Sequence, residues 1–361
     1  MTSRGPAADP FDRDFPPLSF DMLEGWEDDD HLAAFRAFLK SCEHDALSDL
    51  EKASFPREEA LALGPDIGKD AAREFFETHF TPRCRYDSRL DDGFVTGYYE
   101  PMVRGARERS AQYCVPVYGR PDDLVMLSDD LYRAAANDRV SARRDCGDAL
   151  EDYFTRAQIE DGALKDRGLE ALYLDDWIET FFMHVQGSGL VQLDDGTEVR
   201  LAYDGKNGHP YTSIARQLVD RREVLPKDID MEKVKAWLRA DPERGRALMQ
   251  ENQSYIFFRE LERDEGRDGP LGAEGVPLTA GRSLAVDPVY TPLGCPVYLL
   301  AANLPSERGP EFARLMIAQD VGSAIRGPER GDIFWGSGEA AGAIAGTTRH
   351  LAVFIFLLPN P

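Results

Sequence analysis

Positive charge is scarce in this chain. Forty-two lysines and arginines stand against 65 aspartates and glutamates among 361 residues, a formal charge of −23. Phosphate backbones are bound through clustered positive surface, so nucleic acid is not expected as a partner. No basic amphipathic stretch points to a lipid surface. Also missing is any run of about 18 apolar residues able to span a bilayer. Met1 to Pro6 carry neither an apolar signal core nor a lipidation cysteine. Three readings stay open there: a mature form, a signal outside this chain, or a cytoplasmic protein.

Cysteine is sparse too. Cys42, Cys84, Cys114, Cys146 and Cys295 are odd in number, widely spread and never in a C-x-x-C pair. Zinc is therefore not expected, and no other metal or cofactor is indicated. The thiols read as mostly buried, with at most one or two disulfides if the protein is exported. P-loop, H-E-x-x-H and G-x-S-x-G motifs are lacking, which removes the usual signs of nucleotide hydrolysis, zinc proteolysis and a nucleophile-elbow esterase. Gly336 to Gly342 imitates a dinucleotide loop, but about 20 residues follow it, too few for a βαβ unit of roughly 30.

What is present is 42% apolar and 30% charged residues, a globular composition with room for two domains. Residues 1–28 read as an extended surface segment. Leu32, Phe35, Phe38, Leu39 and Cys42 have helical spacing from Asp30. A second helix is expected from Lys69 to Phe80, ended by Pro82, with His79 as a packed residue rather than a ligand. The period then changes. Gly93 to Pro101 and Gln112 to Tyr118 read as strands, and Asp122 to Asp130 as an irregular connection.

Thr155 caps a short helix, and Asp175-Asp176 opens a longer one at Trp177. Leu190–Leu193 and Val199–Tyr203 form a hairpin about an Asp-Gly turn. Tyr211–Arg221 and Met231–Ala240 are expected as helices, Ser254–Arg259 as a strand, and residues 260–275 as a linker or long loop. Beyond it, Ser283–Val286, Cys295–Leu300, Arg314–Gln319, Ile333–Trp335 and Leu351–Leu358 read as short strands, which suggests a small closed barrel.

Three aspartates stand at the ends of these strands: Asp287 before Pro288, Asp320 after Gln319, and Asp332 in Gly331-Asp332-Ile333-Phe334-Trp335-Gly336. Singly, each is an ordinary turn former. Around Asp332, however, large apolar neighbours strip water from the carboxylate and raise its pKa. A carboxylic acid that keeps its proton near neutral pH can protonate a departing oxygen. If two of the three converge, their repulsion keeps a proton on one of them.

These residues carry a resemblance. Val286-Asp287-Pro288 with Thr291-Pro292-Leu293-Gly294, then Ala318 to Gly327, then Gly331-Asp332-Ile333-Phe334 resemble the three-aspartate 3D domain. Thr96 to Pro101, Val185 to Gly189 and Gly205 to His209 resemble the insert domain of the membrane-bound lytic murein transglycosylase A family. The matches keep family order over roughly residues 90–360; Ser323 and Arg326 stand where glycine and lysine are usual.

The resemblance implies a mainly β fold with peripheral helices. A double-psi β-barrel would be built from residues 1–95 and 259–361, with a second, β-rich glycan-binding domain inserted at 96–258. It implies peptidoglycan glycan strands in a groove where the two meet. It also implies non-hydrolytic cleavage of the β-1,4 bond between N-acetylmuramic acid and N-acetylglucosamine, leaving a 1,6-anhydro-muramyl end. A monomer, a periplasmic or outer-membrane location and cell-wall synthesis or division proteins as partners are the corresponding expectations.

By the same resemblance Asp332 is the acid. It would protonate the leaving oxygen and, as carboxylate, take the proton from the sugar's own 6-hydroxyl. Asp320 would hold Asp332 or the sugar and help set the pKa. Asp287 either meets substrate or only fixes a turn. Substrate contacts are expected from Thr96, Gln186, Ser188 and Lys206 and from the rings of Tyr98 or Tyr99 and Trp335. Alternation puts Tyr98 and Tyr99 on opposite sides of a strand, so one is core. The alternative for Gln186 to Ser188 is a tight helix-to-strand turn, and for Lys206 to His209 a turn into the next helix. His209 is not expected as a base. A water-using muramidase and a non-catalytic peptidoglycan-binding module are the rival readings.

Overall fold

The computed structural model describes residues 16–44, 55–84, 93–126, 142–147, 149–226, 228–262, 269–306 and 309–360. The helices are α1 (His31–Glu43), α2 (Arg57–Leu63), α3 (Lys69–His79), α4 (Arg156–Gln158), α5 (Trp177–Gln186), α6 (Ile214–Asp220), α7 (Met231–Ala240), α8 (Pro242–Gln250) and α9 (Gly338–Thr347). The first strands are β1 (Phe80–Cys84), β2 (Phe94–Glu100), β3 (Met102–Ala106), β4 (Val115–Tyr118), β5 (Leu124–Met126), β6 (Ala142–Asp145), β7 (Leu150–Glu151) and β8 (Glu170–Leu174). They are followed by β9 (Ser188–Leu193), β10 (Glu198–Lys206), β11 (Ile256–Glu260), β12 (Ser283–Val286), β13 (Pro296–Ser306), β14 (Gly309–Val321), β15 (Arg330–Ser337), β16 (Arg349–Leu351) and β17 (Val353–Pro359). Two compact units result. Unit 1 holds Met1–Gly97, Leu271–Phe334 and Thr348–Pro361; unit 2 holds Tyr98–Pro270 and Trp335–Thr347.

Unit 1 is organised by an eight-stranded sheet in the order β1-β17-β13-β14-β12-β15-β2-β16. All four residues of β12 are buried, as a strand covered on both faces requires, and it lies between β14, parallel to it, and antiparallel β15. The described pairings leave β1 and β16 as edges, so barrel closure, expected from uniformly short strands, is not among them. Instead β13 and β14 form a long hairpin of 11 and 13 residues. Pro82 also departs from expectation. The helix stops at His79, and Pro82 sits inside β1 opposite Leu357, which an edge strand tolerates.

The helical face predicted from Asp30 forms because Asp30 accepts the Ala33 amide as a cap and the apolar stripe has a partner. Phe35 and Phe38 of α1 meet Phe75 of α3 and Phe80, with ring centres 5.0 Å apart for Phe35–Phe75 and 5.8 Å for Phe38–Phe80. Full burial of such a ring contributes about 2–3 kcal/mol. His79 packs against Phe75 with the two rings tilted at 42°. Arg282 donates to both oxygens of buried Asp29, at 2.8 and 2.9 Å, and to the Leu315 carbonyl at 2.8 Å. That fork ties the segment before α1 to the start of β12 and the middle of β14.

Unit 2 has a six-stranded sheet, β11-β10-β9-β3-β8-β4, and a three-stranded one, β5-β6-β7. The segment expected to be irregular from Asp122 therefore contains strand β5; residues 127–130 lie outside the described residues. Asp176 caps α5 by accepting the Ile178 and Glu179 amides, and Gly187 ends it at φ +85°. Ile178, Phe181 and Phe182 of α5 pack on Leu218, Val234, Leu238 and Leu248. Three helices escaped the sequence reading, among them α2 of unit 1. Pro242 opens α8 behind the Asp241 cap, and α9 lies where only strands were expected. Its glycine at 342 is demanded by packing: a Cβ there would lie 2.8 Å from the Tyr99 ring.

Candidate active site

Asp332 is the third residue of β15, and its setting in unit 1 follows from its neighbours. A Cβ on Gly331 would fall 2.9 Å from Leu284 and 3.2 Å from the Phe354 ring, so glycine lets β15 close on the core. Ile333 and Phe334 are buried beside it, and Asp332 itself is half-buried. Burial pushes its carboxyl up to about 6, Asp320 pushes the same way, and Thr96 and Arg330 pull it back. The Thr96 hydroxyl of β2 donates to Asp332 Oδ1 at 2.7 Å. That same Oγ1 accepts from Arg330 Nη2 at 2.8 Å. Thr96 was expected to meet substrate. In the structure its hydroxyl is engaged between a guanidinium and the carboxylate.

Asp320 reaches the same region from the end of β14. Both it and Asp332 are register partners of Ala285, one through the parallel pairing and one through the antiparallel. Paired residues on adjacent strands share a face, so two carboxyls flank one methyl group. Asp320 Oδ1 accepts the Ala273 and Val321 amides, each at 2.9 Å. Next to it, fully buried Gln319 is pinned by donating to the Ala37 carbonyl and Ser41 and accepting from Ser283. Helix α1 thereby holds the end of β14 in place.

Asp287 is engaged in a turn. It is 4% exposed, and its two oxygens accept the Val289 amide at 3.2 Å and the Gly327 amide at 2.8 Å. Its carboxylate clips the loop after β12 to the loop before β15.

The remaining expected contacts lie in unit 2. Gln186 ends α5, half-buried, and its Oε1 accepts the Tyr99 amide at 3.1 Å. Ser188 is buried at the start of β9, opposite Ala202. Tyr99 is the core member of its pair, packed on Ala341 and Ala345; Tyr98 is half-buried. Trp335 is half-buried and packs against the Tyr99 cluster. Lys206 ends β10 opposite Ile256, half-buried. The turn that follows belongs to Asn207. Fully buried, it donates to the Phe154 and Gln253 carbonyls at 2.8 Å and accepts the Tyr255 amide at 2.9 Å. Gly208, at φ +81°, would put a Cβ 2.5 Å from the Ala142 carbonyl.

Sequence reasoning passed over Arg330. The signal was available, because on an alternating strand residues two apart share a face, and Arg330 stands two before Asp332. Ala285 gave no such signal. Among the described residues no group of three or more His, Cys, Asp or Glu side chains could hold a metal ion. No helix among them is long and apolar enough to cross a membrane.

Comparison with known proteins adds relatives to this geometry. The MltA specific insert domain matches residues 94–259, and the 3D domain matches residues 282–358. The crystal structure of a membrane-bound lytic murein transglycosylase from Agrobacterium tumefaciens is similar at 34% identity and a TM-score of 0.84, covering 96% of this chain and 97% of that one. Membrane-bound lytic murein transglycosylase A of Escherichia coli strain K12 is 32% identical over 260 residues, 71% of this chain and 62% of that protein. The present chain thus matches under two thirds of that curated relative's length. The structure of Escherichia coli MltA with bound chitohexaose is similar at 28% identity and a TM-score of 0.63, covering 84% of this chain and 82% of that one.

Proposed function

The chain belongs to the membrane-bound lytic murein transglycosylase A family, and on that premise we propose that it is a peptidoglycan lytic transglycosylase. Its substrate is the glycan strand, cut at the β-1,4 bond between N-acetylmuramic acid and N-acetylglucosamine with a 1,6-anhydro-muramyl end as product. The observation that carries this reading is a half-buried Asp332 whose carboxyl is pushed up to about 6. Such a group holds enough proton near neutral pH to serve as acid, and its conjugate base is strong enough to take a proton back.

The steps balance on that one group. Asp332 gives its proton to the glycosidic oxygen as the bond to the anomeric carbon breaks. The 6-hydroxyl oxygen of the same muramyl residue then bonds that carbon, and Asp332 takes the hydroxyl proton. No water is consumed, because the nucleophile is already tethered to the reacting ring. A water-using glycosidase needs a second carboxylate as nucleophile or base. Asp320 is a poor candidate for that part, since one of its oxygens already accepts two backbone amides. We assign it the charge that helps keep the proton on Asp332.

Gln186, Ser188, Tyr98, Lys206 and Trp335 are proposed as glycan contacts of unit 2, a reading supported by the chitohexaose bound to the Escherichia coli relative. The eight-stranded sheet is assigned to the family's double-psi β-barrel, with residues 96–258 as the inserted domain. We propose a periplasmic place at the outer membrane, a reading supported by the relatives' description as membrane-bound. The test is release of soluble muropeptides from purified sacculi. Wild-type protein should release them, and Asp332→Asn should sediment with sacculi yet release none. Binding without release by the wild type would make the chain a peptidoglycan-binding module.

A further inference from the structure

Arg330, Thr96 and Asp332 form a chain with a fixed direction. A threonine hydroxyl has one hydrogen and two lone pairs, whereas a guanidinium only donates. Since Arg330 Nη2 lies 2.8 Å from Thr96 Oγ1, that oxygen must accept there. Its single hydrogen is then left for Asp332 Oδ1, 2.7 Å away. The guanidinium is itself held. Nη1 donates to the Gly331 and Phe94 carbonyls, and the group lies over the Phe94 ring, 5.4 Å from its centre. We propose that Arg330 is a positioning residue that locks the Thr96 hydroxyl onto Asp332 and steadies the carboxylate formed when Asp332 gives up its proton.

This inference rests on the reading of Asp332 as the acid, and it adds an opposing pair. From β14, Asp320 disfavours a charge on Asp332; from β15 itself, Arg330 favours it. The paired segment of β12 carries no titratable side chain, while β16 sets Arg349 opposite Thr96 and His350 opposite Val95. A single acid that must also serve as base needs both influences. Too little help for the carboxylate would raise its pKa until the proton stays put. Too much would leave no acid near neutral pH.

The test compares Arg330→Gln, Arg330→Lys and Thr96→Val with wild type in two measurements. In the first, the pH dependence of muropeptide release is recorded, and the descending limb of Arg330→Gln should move to higher pH by roughly half a unit or more. Arg330→Lys should move less, because it keeps the charge. In Thr96→Val the further change Arg330→Gln should shift the limb less than it does alone, since the relay is already cut. In the second, the carboxyl of Asp332 is titrated by carbon NMR in protein labelled at aspartate, which reads the same shift with no substrate present. A titration unchanged in Arg330→Gln, with the fold intact by circular dichroism, overturns the inference. Should wild type release nothing from sacculi, the enzymatic reading fails, while the titration still decides what Arg330 does.

Discussion

Asp320 and Asp332 face each other across Ala285, each paired with that residue from the opposite side of β12. About two strand spacings, near 10 Å, separate their backbones, with the Ala285 methyl on the same face. Repulsion between the two carboxylates then acts with burial to keep Asp332 protonated. Asp320→Asn removes the charge and retains a carbonyl oxygen for the Ala273 and Val321 amides. The pKa of Asp332 should fall, moving the descending limb of the pH–rate profile to lower pH by up to about one unit. At pH 7 the rate should drop several-fold, because less acid is protonated. An unmoved limb would separate the two aspartates functionally.

Stability should report the same carboxyl. The folded-state pKa of about 6 lies above the ordinary value of 3.8, so between these pH values the folded protein binds more protons than the unfolded one. Asp332's contribution is therefore most favourable below 3.8 and is lost as pH rises through about 6. Asparagine does not ionise. At pH 7.5, Asp332→Asn should be more stable than wild type by about 1–2 kcal/mol, after allowance for partial exposure. The gain should shrink toward pH 4, and thermal melts at the two pH values check it. A variant less stable than wild type at pH 7.5 would contradict the buried-acid assignment.

How far the site was legible depends on the range of the interaction. The apolar setting of Asp332 is local, so the peptide Gly331 to Gly336 already carried it. Helix α1 was legible because its stripe and its Asp30 cap are written in consecutive turns. Register was not. That β12 pairs parallel with β14 and brings Asp320 and Asp332 to one alanine depends on contacts between distant segments, which no periodicity encodes. Helix α9 was hidden by composition, since its glycines and alanines look like a loop until Tyr99 is seen packed on them. The family resemblance supplied Asp332 as the proposed acid. The structure added the hydroxyl and guanidinium beside it.

Asp287 should matter to folding more than to chemistry. Asp287→Ala leaves the Val289 and Gly327 amides without their carboxylate, which costs about 1 kcal/mol. Asp287→Asn retains one carbonyl acceptor and should lose less. Urea melts read both variants. Unchanged stability together with lost retention on murein would return Asp287 to the substrate contacts.

Gln186 can be assigned by a pair of substitutions. Gln186→Glu keeps the oxygen that accepts the Tyr99 amide, whereas Gln186→Ala removes it. If the amide nitrogen holds glycan, both should weaken retention on insoluble murein several-fold, about 1 kcal/mol. Retention by Gln186→Glu equal to wild type would give the side chain a turn-holding role alone.

The most direct measurement is the mass of the muropeptide ends released from purified sacculi. An Asp332 proton handed to the bridging oxygen, with the ring's own hydroxyl as nucleophile, should leave 1,6-anhydro ends lighter by one water than reducing ends, and Asp332→Asn should abolish them. Reducing ends carrying the added water, or undiminished release by the variant, would contradict the account.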